Sequence, residues 1–154
     1  MRCRRGLGTV HGMTITSRQV DLVCHSAAAV DDILETFTAS FYARLFQLRP
    51  DIQRLFSTDP EVQARKLAAE LRRIVSALRD PVRFRRQVRT LGARHAEYGA
   101  EREHYEVLGG VLLATFHAEL GDAFTAELHD AWAAAWWTVA AVMLDAGAPV
   151  AEAV

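Results

Sequence analysis

Apolar residues recur every three or four positions along nearly the whole chain, and no stretch alternates apolar with polar residues as a half-buried strand would. One run shows the pattern: a single helical face carries Ile33, Phe37, Phe41, Leu45 and Leu48. This spacing predicts an all-α fold of about six to eight helices. The chain has 154 residues, a length that predicts one domain able to bury a sizeable core.

Proline and aspartate mark where these helices are predicted to begin and end. Pro50 ends a long helix that starts near Asp31, because the residue before a proline is pushed out of the helical region. Asp59-Pro60 and Asp80-Pro81 each combine a capping side chain with a proline at the first helical position. The unequal helix lengths differ from a symmetric four-helix bundle and favour a fold that wraps a bulky ligand.

The predicted domain covers residues 17–147, with an N-terminal extension at 1–16 and a tail at 148–154. The chain begins with basic residues, but the stretch after them is too polar and too broken by glycine to be a signal peptide. Met13 is an alternative start of translation.

Charge and cysteine content exclude several classes of partner. The chain carries 18 basic and 19 acidic residues, which give a formal charge of −1. This net charge provides no overall electrostatic attraction to nucleic acid or to an anionic membrane. No apolar run approaches the roughly 18–20 residues of a membrane span. Two cysteines, Cys3 and Cys24, cannot build a disulfide framework, so we expect a reduced, cytoplasmic protein.

Four polar or aromatic residues stand out, although each also has an ordinary explanation. His95 shares the inward face of its predicted helix with Val88, where a core histidine bonded to carbonyl groups is the simpler interpretation. Tyr42 fits a boundary tyrosine with its hydroxyl in water, and Phe56 fits an ordinary core residue. Considered by itself, Gln63 is interpreted as a solvent-exposed side chain.

Taken together, the motifs are specific. The chain resembles the bacterial haemoglobins in four segments that follow one another in register: FYARLFQLRPDIQRLF, QARKL, LGARHAEYGAEREHYEVLGGVLL and LGDAFTAELHDAWAAAWW. The resemblance covers about residues 17–147. It implies a globin fold that holds haem b.

On the proximal side of the haem, the resemblance assigns three residues. His95 matches the ligand of the iron, Tyr105 matches a tyrosine beside it, and Arg94 sits where a basic residue meets a haem propionate. We expect Tyr105 to hydrogen-bond near His95, since such a partner fixes the imidazole tautomer. Gly147 stands where the family often has a glutamate, so His95 is expected to act as a neutral imidazole unless Asp145 substitutes.

On the distal side, the resemblance assigns four more. Tyr42 and Gln63 match the tyrosine and glutamine that face the bound gas, and Leu67 matches the apolar residue beside it. Phe56 matches the phenylalanine packed on the porphyrin. The corner between Phe56 and Gln63 is about three residues shorter than is typical of the family.

The resemblance implies reversible binding of oxygen and related diatomic gases, nitric oxide and carbon monoxide among them. One alternative is nitric oxide dioxygenation, which would need an external reductase because the sequence contains no GxGxxG nucleotide-binding motif. Another is a haem-free interaction module of globin shape. A monomer and a homodimer are both compatible with the sequence.

Overall fold

The computed structural model describes residues 14–148 and confirms the all-α prediction, because this part of the chain contains helices and no strand. The predicted N-terminal extension and C-terminal tail fall almost wholly outside the described residues, as do Cys3 and Met13. No described helix has both the length and the apolar character to cross a membrane. The α-helices are α1 (Ser17–Val30), α2 (Leu34–Leu48), α3 (Pro50–Gln53), α4 (Pro60–Ala77), α5 (Pro81–Glu97), α6 (Arg102–Leu120) and α7 (Ala126–Gly147).

The predicted caps of α4 and α5 occur as expected. The Asp59 side chain accepts hydrogen bonds from the backbone of the first turn of α4, and Asp80 does the same for α5 by accepting from the N–H of Arg83. Helix α1 begins at Ser17, and the residue before it supplies the cap. Thr16 is the cap, because its hydroxyl accepts from the N–H of Gln19 while the Gln19 side chain bonds back to the Thr16 N–H.

The second long helix begins later than the sequence predicts. Residues Asp31–Ile33 form a separate 3₁₀ turn, so α2 starts at Leu34. Such 3₁₀ turns are frequent at the ends of α-helices and as connectors between them. The long helix ends at Leu48, just before Pro50, and the short helix α3 follows it.

Two buried clusters form the interior. The larger one joins helices α1, α2, α4, α6 and α7, and within it the ring of Phe116 packs against those of both Phe37 and Trp132. The smaller one lies between α5 and α7 and contains Phe84, Val88 and other apolar side chains. Trp136 of α7 packs against both clusters, so the two form one continuous core.

Glycine allows two helices to approach α7 closely. A Cβ atom added at Gly92 of α5 would lie 2.5 Å from the Cα of Met143, and one added at Gly109 of α6 would lie 2.4 Å from the Nε1 of Trp136. Gly110 has open space around it, so its place in the helix has no such packing reason. The close approach at Gly92 sets the distance between α7 and α5, the helix that carries His95.

Candidate functional site

Tyr42 and Gln63 meet at the crossing of α2 and α4. Their separation in the sequence is 21 residues, yet the Nε2 of Gln63 donates a hydrogen bond to the hydroxyl oxygen of Tyr42 over 3.2 Å. The Tyr42 side chain is buried, which differs from the alternative interpretation of a boundary tyrosine in water. The structure therefore brings the two predicted distal residues into direct contact.

Aromatic rings surround the Tyr42 phenol. The rings of Phe46 and Phe56 have their centroids 5.5 Å from that of Tyr42, and the ring of Phe41 lies at 5.2 Å. Phe46 was missed in the sequence analysis, although its position four residues after Tyr42 on the same helix places it on the same face. These rings make the surroundings of the Tyr42 phenol apolar, apart from the Gln63 amide that bonds to its hydroxyl.

Burial decides the protonation state of Tyr42. Loss of contact with water raises the pKa of the Tyr42 hydroxyl, and the hydrogen bond from Gln63 opposes this shift by a smaller amount. The hydroxyl therefore keeps its proton at neutral pH. Because its oxygen already accepts from Gln63, and no described residue accepts its hydrogen, the phenol can donate to a ligand.

His95 lies half-buried near the C-terminal end of α5. Its Nδ1 is 2.9 Å from the carbonyl oxygen of Leu91, one turn earlier in the same helix. A carbonyl oxygen only accepts hydrogen bonds, so Nδ1 must carry the hydrogen and Nε2 must carry the lone pair in the neutral ring. This tautomer is the one that a histidine needs in order to bind a metal through Nε2.

Two expectations about the surroundings of His95 need correction. The partner of Nδ1 is Leu91 and not Tyr105, because the carbonyl of its own helix is already within reach. Tyr105 is buried in the smaller cluster, where burial raises the pKa of its hydroxyl. Asp145 does not substitute for the missing glutamate, since its exposed carboxylate accepts from Arg89 over 2.8 Å.

Gly147 ends α7 directly against α5. A Cβ at this position would be 2.8 Å from the Cβ of Ala96, the residue after His95. A cavity of about 110 Å³ lies beside this contact, lined by Tyr105, Gly147 and other residues of both helices. Close packing against Ala96 and a small void therefore lie where the sequence comparison led us to expect a carboxylate side chain.

Two further predicted site residues, Leu67 and Arg94, have less direct contacts with Tyr42 and His95. Leu67 is half-buried and packs against the larger cluster that contains Tyr42. Arg94 is exposed and forms no ion pair with a described residue. A separate cavity of about 410 Å³ lies between α1 and α4 and is lined by Cys24, but none of the predicted site residues borders it.

Comparison with known proteins agrees with this architecture. The family model for Globin matches residues 39–143. A flavohemoprotein of Bordetella pertussis is 32% identical over 126 residues, which are 80% of this chain and 31% of that protein. A flavohemoprotein of Deinococcus radiodurans is 31% identical over 144 residues, 87% of this chain and 36% of that one. The chain thus spans about a third of the length of these curated relatives.

Solved structures of similar fold include proteins that this chain covers almost completely. A bacterial globin from Campylobacter jejuni superposes with a TM-score of 0.76 at 21% identity, covering 86% of this chain and 96% of that one. An engineered carbene transferase made from a candidate nitric oxide dioxygenase of Rhodothermus marinus gives 0.78 at 26% identity, with 86% and 92% covered. The family model alone spans well over half of the 154 residues. The chain therefore belongs to the globin family.

Proposed function

We propose that this chain is a haem-binding globin that reversibly binds oxygen and related diatomic gases. The observation that carries the proposal is the Tyr42–Gln63 pair. Its hydrogen bond holds the phenol in place inside an aromatic shell and leaves the phenolic hydrogen available to a ligand. A hydroxyl donor among aromatic rings suits a small gas that gains partial negative charge when it binds.

The donor set of the chain fits haem. Haem b, when bound, supplies an iron atom at which diatomic gases bind. His95 would hold the iron through Nε2, the nitrogen that the Leu91 carbonyl leaves with its lone pair. Phe56 and Leu67 would contact the porphyrin, and Arg94 would face a propionate.

The other chain groups orient the ligand and exclude water. The Tyr42 hydroxyl would donate a hydrogen bond to the gas, and Gln63 would keep that hydroxyl in position from behind. Phe46 and Phe56 would limit access of water to the pocket. Tyr105 would border the proximal side without bonding to the Nδ1 of His95.

Nitric oxide dioxygenation is the second candidate. The similar curated relatives are named flavohemoproteins, and one similar solved structure derives from a candidate nitric oxide dioxygenase. Tyr42 and Gln63 would serve this reaction equally well. A reductase would supply the electrons, and nitrate formed per turnover with an added flavin reductase and NADH would separate this activity from simple gas binding.

An absorption spectrum tests haem binding. We expect the purified protein, titrated with haem, to develop a Soret band that saturates at one haem per chain. Carbon monoxide added to the reduced form should shift this band. Absence of a stoichiometric Soret band would contradict the proposal and favour the haem-free interaction module.

His95→Ala tests the assignment of the iron ligand. We expect this variant to lose haem to apomyoglobin much faster than the parent, because the bond from Nε2 is gone. His25→Ala changes an exposed histidine of α1 and is the matched control. Tight, stoichiometric haem with an unchanged ferrous spectrum in His95→Ala would show that another residue holds the iron.

A further inference from the structure

We propose that the outer face of α5 is the docking surface for an acidic electron-transfer protein, one that carries a reduced flavin. This inference rests on the proposed function, because oxygen binds only ferrous haem, and a donor of electrons must restore that form whenever the iron is oxidised. The surface, called here the α5 basic face, consists of Val82, Arg83, Arg85, Arg86 and Arg89. All five side chains belong to exposed residues.

Charge in this protein is strongly separated. Helix α5 contains five arginines and one carboxylate, Glu97, so it carries a formal charge of +4 with histidine neutral. The whole chain carries −1, which leaves −5 for the rest of it. A protein of nearly zero net charge thus presents one markedly positive helix, and such a local patch attracts an oppositely charged partner.

Among the described residues, few carboxylates form ion pairs with the arginines of α5. Arg89 pairs with Asp145, and Arg83 donates to the hydroxyl of Ser76. Arg85 and Arg86 make no ion pair with any residue in 14–148. Arg83 is the basic residue of the first turn of α5, which Asp80 caps, and Arg85 and Arg86 lie beyond that turn. With no carboxylate partner among the described residues, the charges of Arg85 and Arg86 are available to an acidic partner protein.

The composition of the α5 basic face favours a protein partner over a polyanion. Val82 is 78% exposed and stands among the arginines. Protein interfaces combine an apolar centre with arginine, whereas phosphate backbones offer nothing for an exposed valine to contact. Arginine also pairs with carboxylates through two parallel hydrogen bonds, which suits an acidic protein surface.

The position of the face relative to His95 favours an electron donor. Arg83, Arg86 and Arg94 follow one another at spacings of three and eight residues, so they form one row along the helix. The row ends at the residue before His95. At 1.5 Å per residue, Arg86 lies about 14 Å from His95 along the helix axis. A partner bound here would therefore have its prosthetic group close to the helix that holds the proposed iron ligand.

The test measures docking and electron transfer separately. The probe is a purified acidic flavodoxin, reduced with dithionite, and haem reduction is followed by stopped flow at several salt concentrations. We expect R85Q/R86Q to lower the second-order rate constant about tenfold at low salt, with the difference vanishing at high salt. R44Q/R54Q removes the same charge from two exposed arginines elsewhere and is the matched control.

A binding measurement without electron transfer completes the design. Oxidised flavodoxin is titrated with the protein and flavin fluorescence anisotropy is recorded; we expect R85Q/R86Q and Val82→Ser each to weaken binding severalfold. Equal losses in R85Q/R86Q and R44Q/R54Q would overturn the proposal, since only net charge would then matter. Duplex DNA or phosphatidylglycerol vesicles bound more tightly than flavodoxin through Arg85 and Arg86 would overturn it too. Failure of haem binding itself would appear in the absorption spectrum, whatever the anisotropy shows.

Discussion

At the scale of single residues, the Tyr42 hydroxyl is the group whose role is most directly testable. It lies among aromatic rings, and the Gln63 amide donates a hydrogen bond to its oxygen. A hydrogen bond to a partly charged acceptor contributes about 1.5–3 kcal/mol. We therefore expect Tyr42→Phe to speed oxygen dissociation from the haem-loaded protein by roughly ten- to hundredfold.

The structure also assigns different roles to Tyr42 and to Gln63, which bonds to it. Gln63→Leu should speed oxygen dissociation less than Tyr42→Phe, because Gln63 supports the phenol and does not replace it. Tyr98→Phe alters an exposed tyrosine at the end of α5 and is the control. Stopped-flow displacement of oxygen by carbon monoxide gives the rates. Unchanged rates in Tyr42→Phe would mean that the hydroxyl does not reach the ligand.

At the scale of helices, the close crossing of α5 and α7 requires a glycine, Gly92, at the point of contact. The Cβ of Gly92→Ala would lie 2.5 Å from the backbone of Met143, and backbone atoms cannot rotate away. Overpacking of this kind costs about 1–3 kcal/mol or more, which exceeds the roughly 1 kcal/mol that alanine gains over glycine in a helix. We expect a clear loss in the free energy of unfolding, measured with urea.

Gly110→Ala is the matched variant for that experiment. This glycine also lies inside a long helix, but its added Cβ would meet nothing within 4 Å. We expect Gly110→Ala to raise the free energy of unfolding by about 1 kcal/mol. Equal effects of the two substitutions would show that helix propensity, and not the crossing, governs both sites.

The end of α7 gives a second prediction at this scale. Gly147→Glu places a Cβ 2.8 Å from the Cβ of Ala96, so we expect this variant alone to be destabilised. Gly147→Glu combined with Ala96→Gly removes that contact. In the double variant the new carboxylate can compete with the Leu91 carbonyl for the Nδ1–H of His95, which makes the imidazole more electron-donating.

The iron–histidine stretching frequency, measured by resonance Raman on the ferrous haem-loaded form, checks this prediction. The parent should show a low, myoglobin-like value, because its Nδ1 partner is a neutral carbonyl. The double variant should show a higher value. A high value already in the parent would contradict the assignment of Leu91 as the partner.

At the scale of the whole molecule, two buried tyrosines set the alkaline limit of stability. Burial raises the pKa of both Tyr42 and Tyr105 above their ordinary value near 10. The folded state therefore holds these protons to higher pH than the unfolded chain does. Their contribution to stability is complete below pH 10 and is lost as pH rises through the raised pKa values.

We expect the free energy of unfolding to fall steeply above pH 10. The double variant Tyr42→Phe/Tyr105→Phe should lessen that slope, because no buried phenol remains to ionise in it. Tyr98→Phe, at an exposed position, is the control. Urea unfolding between pH 8 and 11 measures the slope, and identical slopes in the parent and the double variant would contradict the argument.

The local sequence was enough to predict the helices and several of their ends. Spacing of apolar residues sets the buried face of a helix, and a capping aspartate followed by proline starts α4 and α5 through contacts within a few residues. Such interactions are short in range, so they can be read without knowing the fold. The family and its globin fold followed from four motifs in register.

Only the tertiary structure decided which groups meet. Tyr42 and Gln63 come together because α2 crosses α4, and nothing within either helix indicates a contact across 21 residues. The difference between Gly109 and Gly110 likewise depends on where Trp136 of another helix lies. The sequence alone does not identify the hydrogen-bond partner of the His95 Nδ1, since a carbonyl of its own helix and a tyrosine ten residues later are both candidates. In the structure Nδ1 lies 2.9 Å from the Leu91 carbonyl, while Tyr105 packs into the cluster between α5 and α7. Which polar groups come within hydrogen-bonding distance of one another depends on how the helices pack.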